Sequence, residues 1–96
     1  MNVYWTESAL VAPASIEEYI ARHSAQYARA LVARIFARSD QLASRPLLGP
    51  IVHEYEDESI REVFENPYRI IYRVDADRVD IVAVVHAARM PPRGFE

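Results

Sequence analysis

The sequence predicts an α+β domain in which an N-terminal strand and an α-helical hairpin pack on a twisted antiparallel β-sheet. Three observations predict it: a short β-prone run at the N-terminus, two consecutive helical patterns of apolar residues, and several later runs rich in β-branched and aromatic residues. This order of elements places the helices on one face of the sheet. Because 96 residues suffice for one domain only, we assign residues 1–96 to a single domain.

The first half of the chain predicts a strand and two helices. Residues 2–6 are apolar and β-prone, which favours a first strand. Pro13 is expected to interrupt regular structure, so the first helix is predicted to begin at Ser15, which forms a capping box with Glu18. A second helix is predicted over residues 25–43 with a serine cap. The short join between the two helices predicts an antiparallel helical hairpin.

The second half predicts the sheet. Residues 45–50 contain two prolines and a glycine and therefore predict a loop. Residues 51–55 and 59–64 are strand-like, and an Asn-Pro turn follows them. Residues 68–74 and 79–85 then form a central hairpin that is closed by a short polar turn.

Side-chain alternation gives this central hairpin two partly apolar faces. On the first strand, Tyr68, Ile70, Tyr72 and Val74 share one face, and Arg69, Ile71 and Arg73 share the other. On the second strand, the alternation separates Val79, Ile81, Ala83 and Val85 from Asp80, Val82, Val84 and His86. The helices can cover only one face, so the other is predicted to be open for a partner. The predicted core consists of Val3, Trp5, Ile16, Tyr19, Ile20, Leu31, Ile35, Leu42, Ile70, Tyr72, Ile81 and Ala83.

Composition argues against several kinds of protein. There is no cysteine, the three histidines lack metal-ligand spacing, and two glycines are too few for a phosphate-binding loop, so the sequence predicts no metal and no cofactor. No apolar run approaches the roughly 20 residues that span a bilayer. We therefore expect a soluble cytoplasmic protein with no membrane partner. The net charge of −3 argues against direct binding of nucleic acid.

One group of residues suggests chemistry. If the strands pair in order, Arg61, Arg69, Arg73, His86 and Arg89 lie near one another toward the uncovered face. Arginines can hold a phosphate and histidine can move a proton, and metal-free RNA cleavage needs little more than this and a 2′-hydroxyl. The alternative is that these arginines form ion pairs with neighbouring acids or bind an acidic peptide.

The amino-acid sequence resembles that of a known superfamily over nearly its whole length. The matching segments are Tyr4-Trp5-Thr6 with Ala9, the end of the helical hairpin from Leu42 to Pro46, Leu48-Gly49, Ile60-Arg61-Glu62, Tyr68-Arg69-Ile70-Ile71-Tyr72-Arg73, and Val85-His86-Ala87-Ala88-Arg89. With these residues the chain resembles the RelE/ParE toxin superfamily, the toxin halves of bacterial type II toxin–antitoxin pairs. The tyrosine- and arginine-rich run followed by a His-x-x-Arg ending is the specific part of the resemblance.

The resemblance implies a partner. A cognate, ParD-like antitoxin is expected to wrap the toxin with an extended segment, and operator DNA is expected to bind only through that antitoxin. The residues expected to contact the antitoxin are Arg61, Arg69, Ile71, Arg73, Val82, Val84 and Arg89.

The resemblance leaves the target open between two branches. RelE-like members are ribosome-dependent mRNA endonucleases, and here Arg61, Arg69, His86 and Arg89 would be the catalytic residues. ParE-like members inhibit DNA gyrase and need no catalytic residue. The absence of lysine and the acidic net charge favour the ParE-like branch, and so a gyrase inhibitor rather than an enzyme. A degenerate toxin that only binds its antitoxin is a third hypothesis.

Overall fold

The computed structural model describes residues 1–93. Its elements are β1 (Asn2–Trp5), α1 (Glu7–Ala21), α2 (Ala25–Asp40), β2 (Ile60–Glu65), β3 (Tyr68–Val74) and β4 (Arg78–His86), with short 3-10 helices over Gln41–Ala43 and His53–Tyr55. The predicted α+β fold class is confirmed: a helical hairpin packs on one face of a four-stranded sheet.

The strands lie in the order β1-β4-β3-β2. The antiparallel meander of β2, β3 and β4 is as predicted. β1 joins β4 in parallel, pairing Asn2 with Arg78 and Trp5 with Ile81, so the complete sheet is mixed rather than wholly antiparallel. The direction of β1 follows from its connection, since the helical hairpin carries the chain back across the sheet before the meander begins.

Helix α1 begins eight residues earlier than the sequence predicts. Its N-cap is Thr6, whose side chain accepts a hydrogen bond from the Ala9 N–H at 3.1 Å, and Pro13 lies inside the helix. The predicted cap at Ser15 is therefore wrong. Proline removes one helical N–H, and the burial of Ala9, Pro13 and Ile16 compensates for this loss.

Changing Thr6 to alanine tests this helix start. We expect a loss of about 1 kcal/mol in the free energy of unfolding, because Thr6 caps the helix and also donates to the Ile81 carbonyl at 3.1 Å. Ser15→Ala, in the helix interior, should change it by less than about 0.5 kcal/mol. Urea denaturation of both variants measures the difference, and a larger loss for Ser15→Ala would place the cap where the sequence predicted it.

Helix α2 and its cap are as predicted. Ser24 accepts a hydrogen bond from the Tyr27 N–H at 3.1 Å, and the helix continues through the 3-10 turn that ends at Ala43. Ala28, Leu31 and Ile35 are fully buried. The two helices pack against each other as the predicted hairpin.

A β-bulge alters the predicted faces of β4. Ile71 pairs with Ala83 while Tyr72 pairs with Ile81, so Val82 is the extra residue of β4. A bulge reverses the alternation beyond it. Val84 therefore lies in the core beneath the helices, and Ala83 lies in a smaller apolar cluster on the opposite face of the sheet. This reverses the faces predicted for Val84 and Ala83.

The second sheet face, the one opposite the helices, is not open. Residues 51–55 do not form a strand: only Ile51 bridges to β2, and a 3-10 helix follows. Val52 and Tyr55 instead pack on Ile71 and Val82, which are 0% and 7% exposed. The expectation of an uncovered face is wrong because the chain covers it with its own 51–59 segment.

Candidate partner-binding site

Arg69 lies in a buried ion-pair cluster on the second sheet face. Its Nε donates to Glu62 Oε1 at 2.5 Å, and its Nη1 and Nη2 donate to the Glu54 carboxylate at 3.2 Å each. The residue is only 8% exposed. The hydrogen bonds to Glu62 and Glu54 raise the pKa of Arg69. The hydrogen bond from Arg69 in turn holds the pKa of Glu54 below its ordinary value. The fork of Arg69 is thus already occupied by two carboxylates.

Arg61 lies on the other face of the sheet. It stands directly opposite Tyr72, and residues opposed across an antiparallel pair point to the same side. Its Nη1 donates to the Gly49 carbonyl at 2.8 Å on the helix side. Arg69, opposed to Phe64, points away from the helices. The structure therefore does not bring Arg61 and Arg69 together.

The other residues expected to contact an antitoxin differ in accessibility. Ile71 and Val82 are buried under the 51–59 segment, and Val84 is buried beneath the helices. Arg73 is partly exposed on the second face, opposite Ile60. Arg89 is exposed in the turn after β4.

His86 and Arg89 lie together at the end of β4. The His86 Nδ1 accepts from the Ala88 N–H at 3.1 Å, and the Arg89 N–H donates to the His86 carbonyl at 2.9 Å. The ring of His86 meets that of Tyr68 edge to face, with centroids 5.6 Å apart. Burial raises the pKa of the Tyr68 hydroxyl, and the charge of Arg89 opposes that shift.

These residues border an open groove of about 850 Å³. Helix α1 supplies one part of its lining, the ends of β3 and β4 a second, and the chain after β4 a third; its members include Ile16, Tyr19, Tyr68, Val84, His86 and Met90. Tyr19 and Met90 are 64% and 84% exposed. An exposed apolar groove bordered by a histidine and an arginine suits an amphipathic segment that carries acidic side chains.

The sequence pattern predicted an uncovered sheet face rather than this groove, although three of the site residues that it indicated line the groove. It singled out Val84, His86 and Arg89, but it assigned Tyr19 to the core, whereas Tyr19 is largely exposed at the groove. The signal for the exposure of Tyr19 was its position at the margin of the apolar face of an amphipathic helix. The contribution of Met90 and Pro92 to the groove had no signal in the sequence pattern.

Residues 1–93 show neither a metal-ion site nor a membrane-spanning helix. No group of three or more His, Asp or Glu side chains in this range is placed to hold a metal ion. None of the helices there has the length and apolar character that a membrane span requires.

The described residues form a small α+β protein with an exposed groove between helix α1, two strand ends and the chain after β4. The family model described as "ParE toxin of type II toxin-antitoxin system, parDE" matches residues 3–91 of this chain. The chain therefore belongs to the ParE toxin family of type II toxin–antitoxin systems.

A solved structure shares the fold. It is described as a chromosomal ParDE TA system from P. aeruginosa, and it is 20% identical to this chain, with a TM-score of 0.74. The alignment covers 90% of this chain and 95% of that one. No curated protein matches the sequence.

Proposed function

We propose that this chain is a cytoplasmic toxin that arrests bacterial growth by inhibiting DNA gyrase and is neutralised by a cognate, ParD-like antitoxin. The observation that carries the proposal is the match of the ParE toxin family over residues 3–91. The inhibition is non-enzymatic, so it depends on binding surfaces and not on a catalytic group.

The arrangement of the arginines supports this branch over mRNA cleavage. Cleavage of the RelE type would need Arg61, Arg69, His86 and Arg89 around one phosphate, because stabilisation of developing charge depends on donors already aimed at it. Arg69 gives its donors to two carboxylates, and Arg61 faces the opposite side of the sheet. The two arginines therefore cannot both contact one phosphate.

The groove is the proposed docking site of the antitoxin. Val84 lies in its lining, and Arg89 and His86 are placed to meet acidic side chains of the antitoxin segment. Arg73 adds a partly exposed cation on the second face. Direct contact with Arg69, Ile71 or Val82 would require displacement of the 51–59 segment. The complex would bind operator DNA through the antitoxin.

A supercoiling assay with purified toxin and gyrase tests the target, with mRNA integrity followed in a translating extract at the same toxin concentrations. We expect supercoiling to be inhibited, transcripts to stay intact, and added antitoxin to restore supercoiling. Cleaved transcripts with normal supercoiling would contradict the proposal in favour of mRNA cleavage. Unchanged supercoiling with retained antitoxin binding would leave only the hypothesis of a degenerate toxin that binds its antitoxin and has no target.

Charge reversal tests the docking site. Arg89→Glu should weaken antitoxin binding at least about tenfold, since a like charge then faces the acidic segment. Arg45→Glu is the matched control, because Arg45 is exposed in the loop after α2 and is not part of the groove lining. Equal affinities of the two variants, measured by titration calorimetry, would exclude Arg89 from the interface.

A further inference from the structure

The chain after β4, residues 87–93, folds back and lines the groove; we call it the tail. Its first residues are fixed by two backbone bonds, from the Ala87 N–H to the Pro67 carbonyl at 2.8 Å and from the Arg89 N–H to the His86 carbonyl at 2.9 Å. Residues 90–93 belong to no helix or strand. Even so, Met90 and Pro92 contribute to the groove, so its shape depends on what holds the tail.

A hydroxyl from the 51–59 segment contacts the tail. Tyr55 donates a hydrogen bond from its hydroxyl to the Pro92 carbonyl. The ring of Tyr55 packs against the apolar cluster on the second sheet face, which limits the positions that its hydroxyl can reach. The tail is therefore tied to a segment that lies nearly forty residues earlier in the sequence.

The segment that carries Tyr55 is itself fixed by Arg69. Glu54 precedes Tyr55 in the same 3-10 helix, and its two carboxylate oxygens each accept from a separate nitrogen of Arg69. A bidentate pair fixes orientation as well as distance. Arg69 is held in turn by Glu62 of the neighbouring strand β2. A continuous series of contacts thus runs from the buried sheet to the tail.

We propose that Arg69 is a positioning residue for the groove: through Glu54 and Tyr55 it holds the tail in place as one side of the antitoxin-docking site. The assignment of the tail to the antitoxin-docking site rests on the proposed function. The role of Arg69 in holding the tail in place, which is the structural half of the inference, does not. Arg69 then influences partner binding without touching the partner. This role differs from the direct contact that the sequence predicted for it.

Trypsin cleavage after Arg89 tests the structural half. Tyr55→Phe removes only the hydroxyl, so local opening of the tail and cleavage between Arg89 and Met90 should become about fivefold faster. Glu54→Gln should act in the same direction by weakening the contact with Arg69. Tyr4→Phe is the matched control, because it removes an exposed hydroxyl that contacts Asn2 at the far edge of the sheet. Circular dichroism of all three variants verifies that they are folded.

Wild-type cleavage rates for both Tyr55→Phe and Glu54→Gln would overturn the inference, whatever the function of the protein. With the antitoxin encoded beside the toxin as the probe, both variants should also bind about fivefold more weakly, while Tyr4→Phe binds as the wild type does. Faster cleavage with unchanged antitoxin affinity would show that the tail is not part of the docking site. If the wild-type toxin itself binds no antitoxin, the proposed function fails, and the cleavage rates still report on the series of contacts.

Discussion

Replacing Arg69 with alanine is expected to lower the free energy of unfolding by about 3 kcal/mol, the scale for breaking a buried ion pair. The main cause is Glu62, which is 7% exposed and would be left buried without its partner. Glu54 is half-exposed and regains water, so it adds less. Urea denaturation at pH 7 measures the loss. Arg45→Ala, at an exposed position, is the control and should change stability by less than about 0.5 kcal/mol.

A second substitution identifies the cause of the loss. If Glu62 without its partner is responsible, Glu62→Ala added to Arg69→Ala should cost little more or should regain stability, which a double-mutant cycle reveals as coupling. Fully additive losses would contradict the ion-pair explanation.

The effect of Arg69→Ala should also depend on pH. Arg69 holds the pKa of Glu54 below its ordinary value of 4.5, so their contact stabilises the fold above pH 4.5. That contribution is lost as the pH falls below 4.5 through the folded-state pKa. The stability gap between the wild type and Arg69→Ala should narrow over this range.

Gly49→Ala is expected to cost about 3 kcal/mol, at the upper end for overpacking. A Cβ at this position would lie 1.9 Å from the carbonyl oxygen of Glu62, which belongs to the backbone of β2 and has little freedom to move. Gly49 itself is held on both sides, since its N–H donates to the Tyr72 hydroxyl at 3.0 Å and its carbonyl accepts from Arg61. The strain therefore has no simple relief.

Leu47→Ala provides the comparison for Gly49→Ala. Leu47 lies in the same loop and is 64% exposed, so its truncation should change the free energy of unfolding by less than about 0.5 kcal/mol. Thermal and urea unfolding of the two variants measure the difference. Similar stabilities would show that β2 yields to the added methyl group and that the close approach is not what requires glycine.

The sequence predicted those elements whose signals are local. Helix α2 has its serine cap and its apolar stripe within one short stretch, and the strands of the central hairpin are rich in β-branched residues, so each was predicted close to its observed bounds. Pro13 misled the prediction of α1, because a local rule about proline was outweighed by burial against the rest of the fold. The bulge at Val82 left no mark that side-chain alternation could reveal.

The candidate site was harder to predict than the fold. The sequence drew attention to the arginines, but their partners come from other parts of the chain: Glu54 reaches Arg69 from the 51–59 segment, and Gly49 reaches Arg61 from the loop after α2. Whether an arginine is free or occupied is decided by these tertiary contacts. The groove likewise exists only where a helix, two strand ends and the tail meet.

The parallel pairing of β1 with β4 has a consequence for how the chain is made. Among the described elements β1 is synthesised before the others, and its only partner in the sheet is β4, the last of the described strands. The helical hairpin and the β2–β3 pair can form early in the nascent chain because their contacts are local, whereas β1 must wait for β4, which ends at His86. Until then the backbone of β1 has no strand to pair with. A copy of this chain cut short before β4 is therefore expected not to reach the native fold.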